Sequence, residues 1–73
     1  MKISLIGQLA EVDREIAMRQ QVYPRQVQQG KMRQAEAELL IERMQAVRAS
    51  LAFLKANEDD IRAMIAARRA TAS

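Results

Sequence analysis

Cysteine, histidine and tryptophan are all missing from this 73-residue chain. Without thiols there is no disulfide framework. Without thiols and imidazoles, the usual zinc sites, thiol nucleophiles and general bases are missing as well. Aromatic residues are reduced to one Tyr and one Phe, Tyr23 and Phe53, so any core has to be aliphatic. The three serines, Ser4, Ser50 and Ser73, lie outside any nucleophile-elbow pattern. Asp59 and Asp60 are adjacent acids that a helix would point in different directions, too few oxygens for a hard cation. No enzymatic activity and no cofactor or metal is expected.

No apolar run approaches the roughly 18 residues that a membrane span needs. The opening Met1–Gly7 has a faint signal-peptide character, which Gln8, Glu11 and Asp13 interrupt early. A cytoplasmic location without membrane contact is the default expectation.

The chain allows one small domain. A monomer of this size buries only about 60% of its unfolded surface, and small scaffolds compensate with disulfides, metals or oligomerisation. With the first two removed, self-association remains. The net charge is +3. Mixed charges cover most of the chain, but residues 16–35 hold Arg19, Arg25, Lys31 and Arg33 without an acid, and residues 61–73 hold Arg62, Arg68 and Arg69 likewise. Such stretches attract phosphate or acidic protein surfaces, or simply keep a helix soluble.

Apolar spacing predicts an all-α fold. Leu5, Leu9, Val12, Ile16, Arg19 and Tyr23 follow one another by alternating steps of four and three, a heptad seam over a helix of about residues 4–23. Arg19 within that seam is either an edge residue that snorkels or a deliberate polar contact. Ser4 is the candidate cap, and Gly7 weakens the first turn. The only Pro, Pro24, is placed to open a short turn or helix over 24–30 with Val27 as its anchor, and Gly30 to close it. A second seam, Ala37, Leu40, Met44, Val47, Leu51, Leu54, Glu58, Ile61 and Ile65, predicts a long helix over about 33–69. Leu39, Ile41 and Phe53 widen it.

Asn57-Glu58-Asp59-Asp60 interrupts that helix. Preserved heptad phase and the lack of Gly or Pro favour continuity. The alternative is a break at Asn57, with Asn57 and Asp60 as a cap pair and a short third helix free to fold back. The tail 70–73 is expected to fray. The architecture is therefore an antiparallel, coiled-coil-like helical hairpin. Its first helix, about 30 Å long, is too short to cover a continuous second one of about 55 Å. Leu51, Leu54, Ile61, Met64 and Ile65 are then candidates for self-association, most economically as a homodimer forming a helical bundle.

The unusual residues gather at the bend. Tyr23, Arg19, Arg25, Lys31 and Arg33 combine one aromatic face with several cations suited to carboxylate or phosphate, and Arg14 is close enough in sequence to join them. A bland reading stands beside this: Tyr23 plugs the end of the seam and the cations serve solubility. Nucleic acid is a weaker partner, since single-strand binders interleave several aromatics with their basic residues.

The motif Arg-Glu-Ile-Ala-Met-Arg (Arg14 to Arg19), followed by Val-Tyr-Pro-Arg-x-Val (Val22 to Val27) and Gly-Lys-Met (Gly30 to Met32), carries a resemblance, with Ala37, Glu42 and Met44 at fixed spacing beyond. Over about residues 9–54 the chain resembles small helical proteins encoded by phages and prophages of proteobacteria. Such relatives place Ser or Thr after the Met, where this chain has Arg33, so a helix cap is missing. The resemblance transfers no activity. It implies a phage accessory protein that binds and neutralises a host component, either a host protein or an anionic ligand such as a nucleotide signal. A nucleic-acid accessory protein and a structural coiled-coil subunit of a larger assembly are the alternatives.

Overall fold

The computed structural model of the chain describes residues 2–72. It holds α1 (Leu5–Gln28), α2 (Gln34–Ala56) and α3 (Glu58–Ala72), with no strand among the described residues. Ser4 starts α1 in an extended conformation, and its Oγ accepts the Gly7 N–H at 3.0 Å, the expected cap. A Cβ on Gly7 would sit 3.3 Å from that oxygen, so the glycine leaves the cap unobstructed.

Pro24 does not separate two helices. α1 runs through it to Gln28, which corrects both the end expected near Tyr23 and the separate short helix over 24–30. The proline has no N–H for the Gln20 carbonyl and its ring crowds it. Gln20 and Pro24 are both exposed, so this defect falls on the solvent side of the helix. Gly30 then closes the helix as expected. At φ +74 it allows the Lys31 N–H to reach the Gln26 carbonyl at 2.9 Å while its own N–H reaches the Val27 carbonyl at 3.1 Å. This paired arrangement satisfies carbonyls that a helix end otherwise leaves open.

α1 turns back on α2. Arg48 of α2 grips the Asp13 carboxylate through Nε and Nη2, and Arg19 of α1 donates to the Leu40 carbonyl. As one partner moves up α1 the other moves down α2, so the pair is antiparallel. The seam of α1 is the one read from its spacing: Leu5, Leu9, Val12, Ile16, Arg19 and Tyr23 are all buried or half-buried. On α2, Ala37, Leu40, Ile41, Met44 and Leu51 face it. Two helices enclose little, and among the described residues only Val12 and Ala37 are buried. Val47 and Leu54, expected in the seam, remain 44% and 40% exposed. Leu39 and Phe53 lie on the outer side of α2.

The long helix breaks at Asn57, which corrects the reading of an unbroken run. Asn57 leaves helical geometry at φ −111, ψ 15, and its side-chain Nδ2 donates back to the Phe53 carbonyl at 2.8 Å. The Asn57 N–H keeps its own bond to that carbonyl at 3.1 Å, and the Asn57 carbonyl accepts the Ile61 N–H at 2.9 Å, so the interruption is one residue wide. The side-chain bond also corrects the expected cap pair, because the Asn57 amide bonds backward rather than to the first turn of α3. The three acids Glu58, Asp59 and Asp60 do occupy that turn, where the helix dipole favours them.

The break does not let α3 fold back. The molecule extends 59 × 22 × 19 Å, and a helix over residues 34–72 measures about 58 Å. Its radius of gyration, 17.8 Å, exceeds the roughly 11 Å of a compact chain this long. Beyond its first turn, α3 projects past the start of α1 without packing on the hairpin. It stays helical to Ala72, so the fraying expected at 70–73 is not seen there, and Ser73 lies outside the described residues.

Candidate functional site at the elbow

Five residues, Gln29 to Arg33, join α1 to α2. Gly30 fixes the exit from α1, and Arg33 opens α2 in an extended conformation (φ −82, ψ 147) without a side-chain cap. The missing Ser or Thr therefore has a structural counterpart: the first amides of α2 receive no side-chain oxygen from the capping position. Gly30, Lys31, Met32, Arg33 and Glu36 line a shallow, open depression on this end of the hairpin.

The sequence-derived candidates separate into two groups. Arg25, Lys31 and Arg33 are exposed. Arg25 sits in the last turn of α1, where a cation complements the helix dipole. Arg19 and Tyr23 are half-buried in the seam. Arg19 is a polar contact there: Nε meets Glu15 Oε1 at 2.9 Å, Nη1 meets the Leu40 carbonyl at 2.8 Å, and the guanidinium carbon lies 5.9 Å from the Tyr23 ring centre. Tyr23 closes the seam, and Arg19 covers part of its face. Arg14 pairs with Glu11 at 3.1 Å on the outer surface and is not part of the elbow.

Ion pairing isolates the elbow electrostatically. Among the described residues, the pairs are Glu11–Arg14, Glu15–Arg19, Asp13–Arg48, and Glu58 with both Lys55 and Arg62. None involves Arg25, Lys31 or Arg33. The carboxylate of Asp13 holds the Arg48 guanidinium above its ordinary pKa, through their hydrogen bond first and their Coulomb attraction second. Lys31 and Arg33 thus line the depression with Glu36 as its one acid, and Arg25 lies in the last turn of α1 before the bend. The arrangement suits a carboxylate-rich or phosphate-bearing surface. Among the described residues no group of three or more Asp or Glu is placed to hold a metal ion. No described helix is long and apolar enough to cross a membrane.

A second concavity escaped the sequence reading. Lys2, Ile3, Ser4 and Leu5 face Leu54, Glu58, Ile61 and Arg62 across a cleft where the start of α1 meets the α2–α3 junction. The antiparallel seam carries its signal, since the register that opposes Arg19 and Leu40 also opposes the N-terminal segment and Leu54. No family model, curated protein or solved structure matches the chain.

Proposed function

We propose that this chain is a non-enzymatic binding protein, a phage accessory protein that captures and neutralises a host component through the cationic elbow. The observation that carries this reading is the exposure of Arg25, Lys31 and Arg33, without ion-pair partners among the described residues, about the bend that Gly30 closes at φ +74. The partner class is an acidic host protein surface or an anionic ligand such as a nucleotide signal. The phage setting rests on the resemblance of residues 9–54 alone. Arg19 and Tyr23 position the bend rather than contact the partner, because the Arg19 guanidinium is already bonded to Glu15 and Leu40 and covers one face of the Tyr23 ring.

Nucleic acid is the weaker alternative. Its support is Arg68 and Arg69, exposed on α3. Against it stands the single Tyr, half-buried beneath Arg19 and so a poor platform for a base.

The test is capture from host lysate by the full chain and by a variant with Arg25, Lys31 and Arg33 all changed to Ser. A partner retained by the first and lost by the second, with retention falling as salt rises, supports the elbow. Identical partner sets for both chains overturn it. A shift of duplex or single-stranded DNA that weakens steeply with salt favours the alternative.

A further inference from the structure

α2 is apolar on two sides. One side meets α1, with Val47 and Leu54 along its edge; the outer side carries Leu39 and Phe53 and continues on α3 as Met64, 45–65% exposed. From Leu39 to Met64 this outer line is about 38 Å long. α3 meanwhile projects as a lone helix of 15 residues, a length that is marginal in water without a packed face.

We infer that this face pairs with the same face of a second copy, the two α2–α3 rods running antiparallel about a two-fold axis near Phe53. Three observations select a second copy and that direction.

The first is area. The chain exposes 6054 Å², whereas a monomer of 8.3 kDa exposes about 4,600 Å². The surplus, about 1,400 Å², exceeds the roughly 800 Å² per partner of a stable interface.

The second is shape. The rod spans residues 34–72, and its midpoint is Phe53, the most exposed large apolar residue of α2 at 65%. Beside it Ala49, Ser50 and Leu54 form a shallow apolar hollow. An antiparallel partner centred there sets each Phe53 over the Ala49–Ser50 hollow of the other copy, and the two rods overlap from end to end. The small residues allow close approach of the helices.

The third is charge. The first half of the rod carries Glu36, Glu38 and Glu42, and its last ten residues carry Arg68 and Arg69 without an acid. Antiparallel overlap brings Glu36 opposite Arg68 and Arg43 opposite Asp60. Parallel overlap opposes like charges at each of these positions and is disfavoured. The assembly leaves the elbows at opposite ends and does not depend on what they bind.

Sedimentation equilibrium of the full chain tests the association, with a dimer of twice 8.3 kDa expected. Phe53→Glu, on an exposed side chain that the hairpin does not use, is expected to weaken association at least 100-fold while α1 and α2 keep their circular dichroism. Direction is read by oxidation, because the natural chain has no cysteine. Glu36→Cys and Arg68→Cys chains are expected to cross-link when mixed and not when alone. A monomer at every concentration overturns the proposal, as does a Glu36→Cys chain that cross-links to itself, the signature of parallel pairing. Association unchanged by Phe53→Glu overturns the assigned face.

Discussion

Arg19 on α1 reaches across the seam to the backbone of α2, its Nη1 donating to the Leu40 carbonyl at 2.8 Å. Glu15, one turn earlier, holds the same guanidinium at 2.9 Å. A cation at a seam position satisfies no apolar partner, but it fixes which residue of α2 stands opposite. A slip of one turn of α1 against α2 would separate it from that carbonyl, while Glu15, on the same helix, would move with it. Polar residues at such positions trade stability for register.

Replacing Arg19 by Ala removes a charge-assisted bond to a part-buried carbonyl together with the packing of its stem. The expected loss is about 1–2 kcal/mol in urea denaturation. Glu15→Gln, which keeps an amide oxygen for the fork but removes the charge of this part-buried pair, is expected to cost less, about 0.5 kcal/mol. Equal losses for both would show that the ion pair, and not the bond to Leu40, carries the effect.

Pro24 sits inside α1 at a position where an alanine would add one backbone hydrogen bond, to the Gln20 carbonyl. Pro24→Ala is expected to raise stability by about 1–3 kcal/mol, with a higher thermal midpoint and no loss of helix. Unchanged or lower stability would mean that the elbow depends on the proline's fixed φ.

Arg33 caps α2 with no side-chain acceptor and brings a positive charge to the positive end of the helix dipole. Arg33→Asp is expected to stabilise the chain by about 1 kcal/mol. The same change places a negative charge in the elbow depression, so partner capture is expected to fall while the melting temperature rises. Opposite signs from one substitution distinguish a binding residue from a structural one. A variant that gains stability and keeps its partner would remove Arg33 from the site.

The hairpin was legible because its seam is a repeating signal. Leu5 through Tyr23 and Ala37 through Leu51 oppose one another as their spacing requires, and Ser4 and Gly30 punctuate the helices as their chemistry predicts. The misreadings arise where one local rule competes with another. Pro24 ends a helix by propensity, yet its lost bond falls on the wet side and Val27 still finds the seam. Asn57 preserves the heptad phase, yet its backbone leaves helical dihedrals at that one residue and divides α2 from α3. At the site, spacing identified the cations but could not sort them. Arg19 and Arg25 look alike in sequence, and only the rotation of α1 against α2 turns one inward and leaves the other in water.

Glu58 clasps the break. Its Oε2 meets Lys55 Nζ of α2 at 2.9 Å and its Oε1 meets Arg62 Nη2 of α3 at 2.7 Å, so one carboxylate ties the helices on either side of Asn57. The hydrogen bond from Lys55 is the main cause that holds its pKa below the ordinary value, with the charges of Lys55 and Arg62 adding to it against a partial desolvation. A folded-state pKa below the unfolded one means the clasp contributes fully above the unfolded value, about 4.3, and is lost as pH falls through the lowered folded value. Protonation of Glu58 opens the clasp. Helical circular dichroism of the wild-type chain is therefore expected to decline on acidification below about pH 4. Glu58→Gln isolates the contribution of the clasp. That variant is expected to show lower helicity at neutral pH and a shallower acid decline, and 1 M salt is expected to bring the wild type toward it. Superimposable acid profiles for the two chains would show that the α2–α3 junction is held by its backbone and not by Glu58.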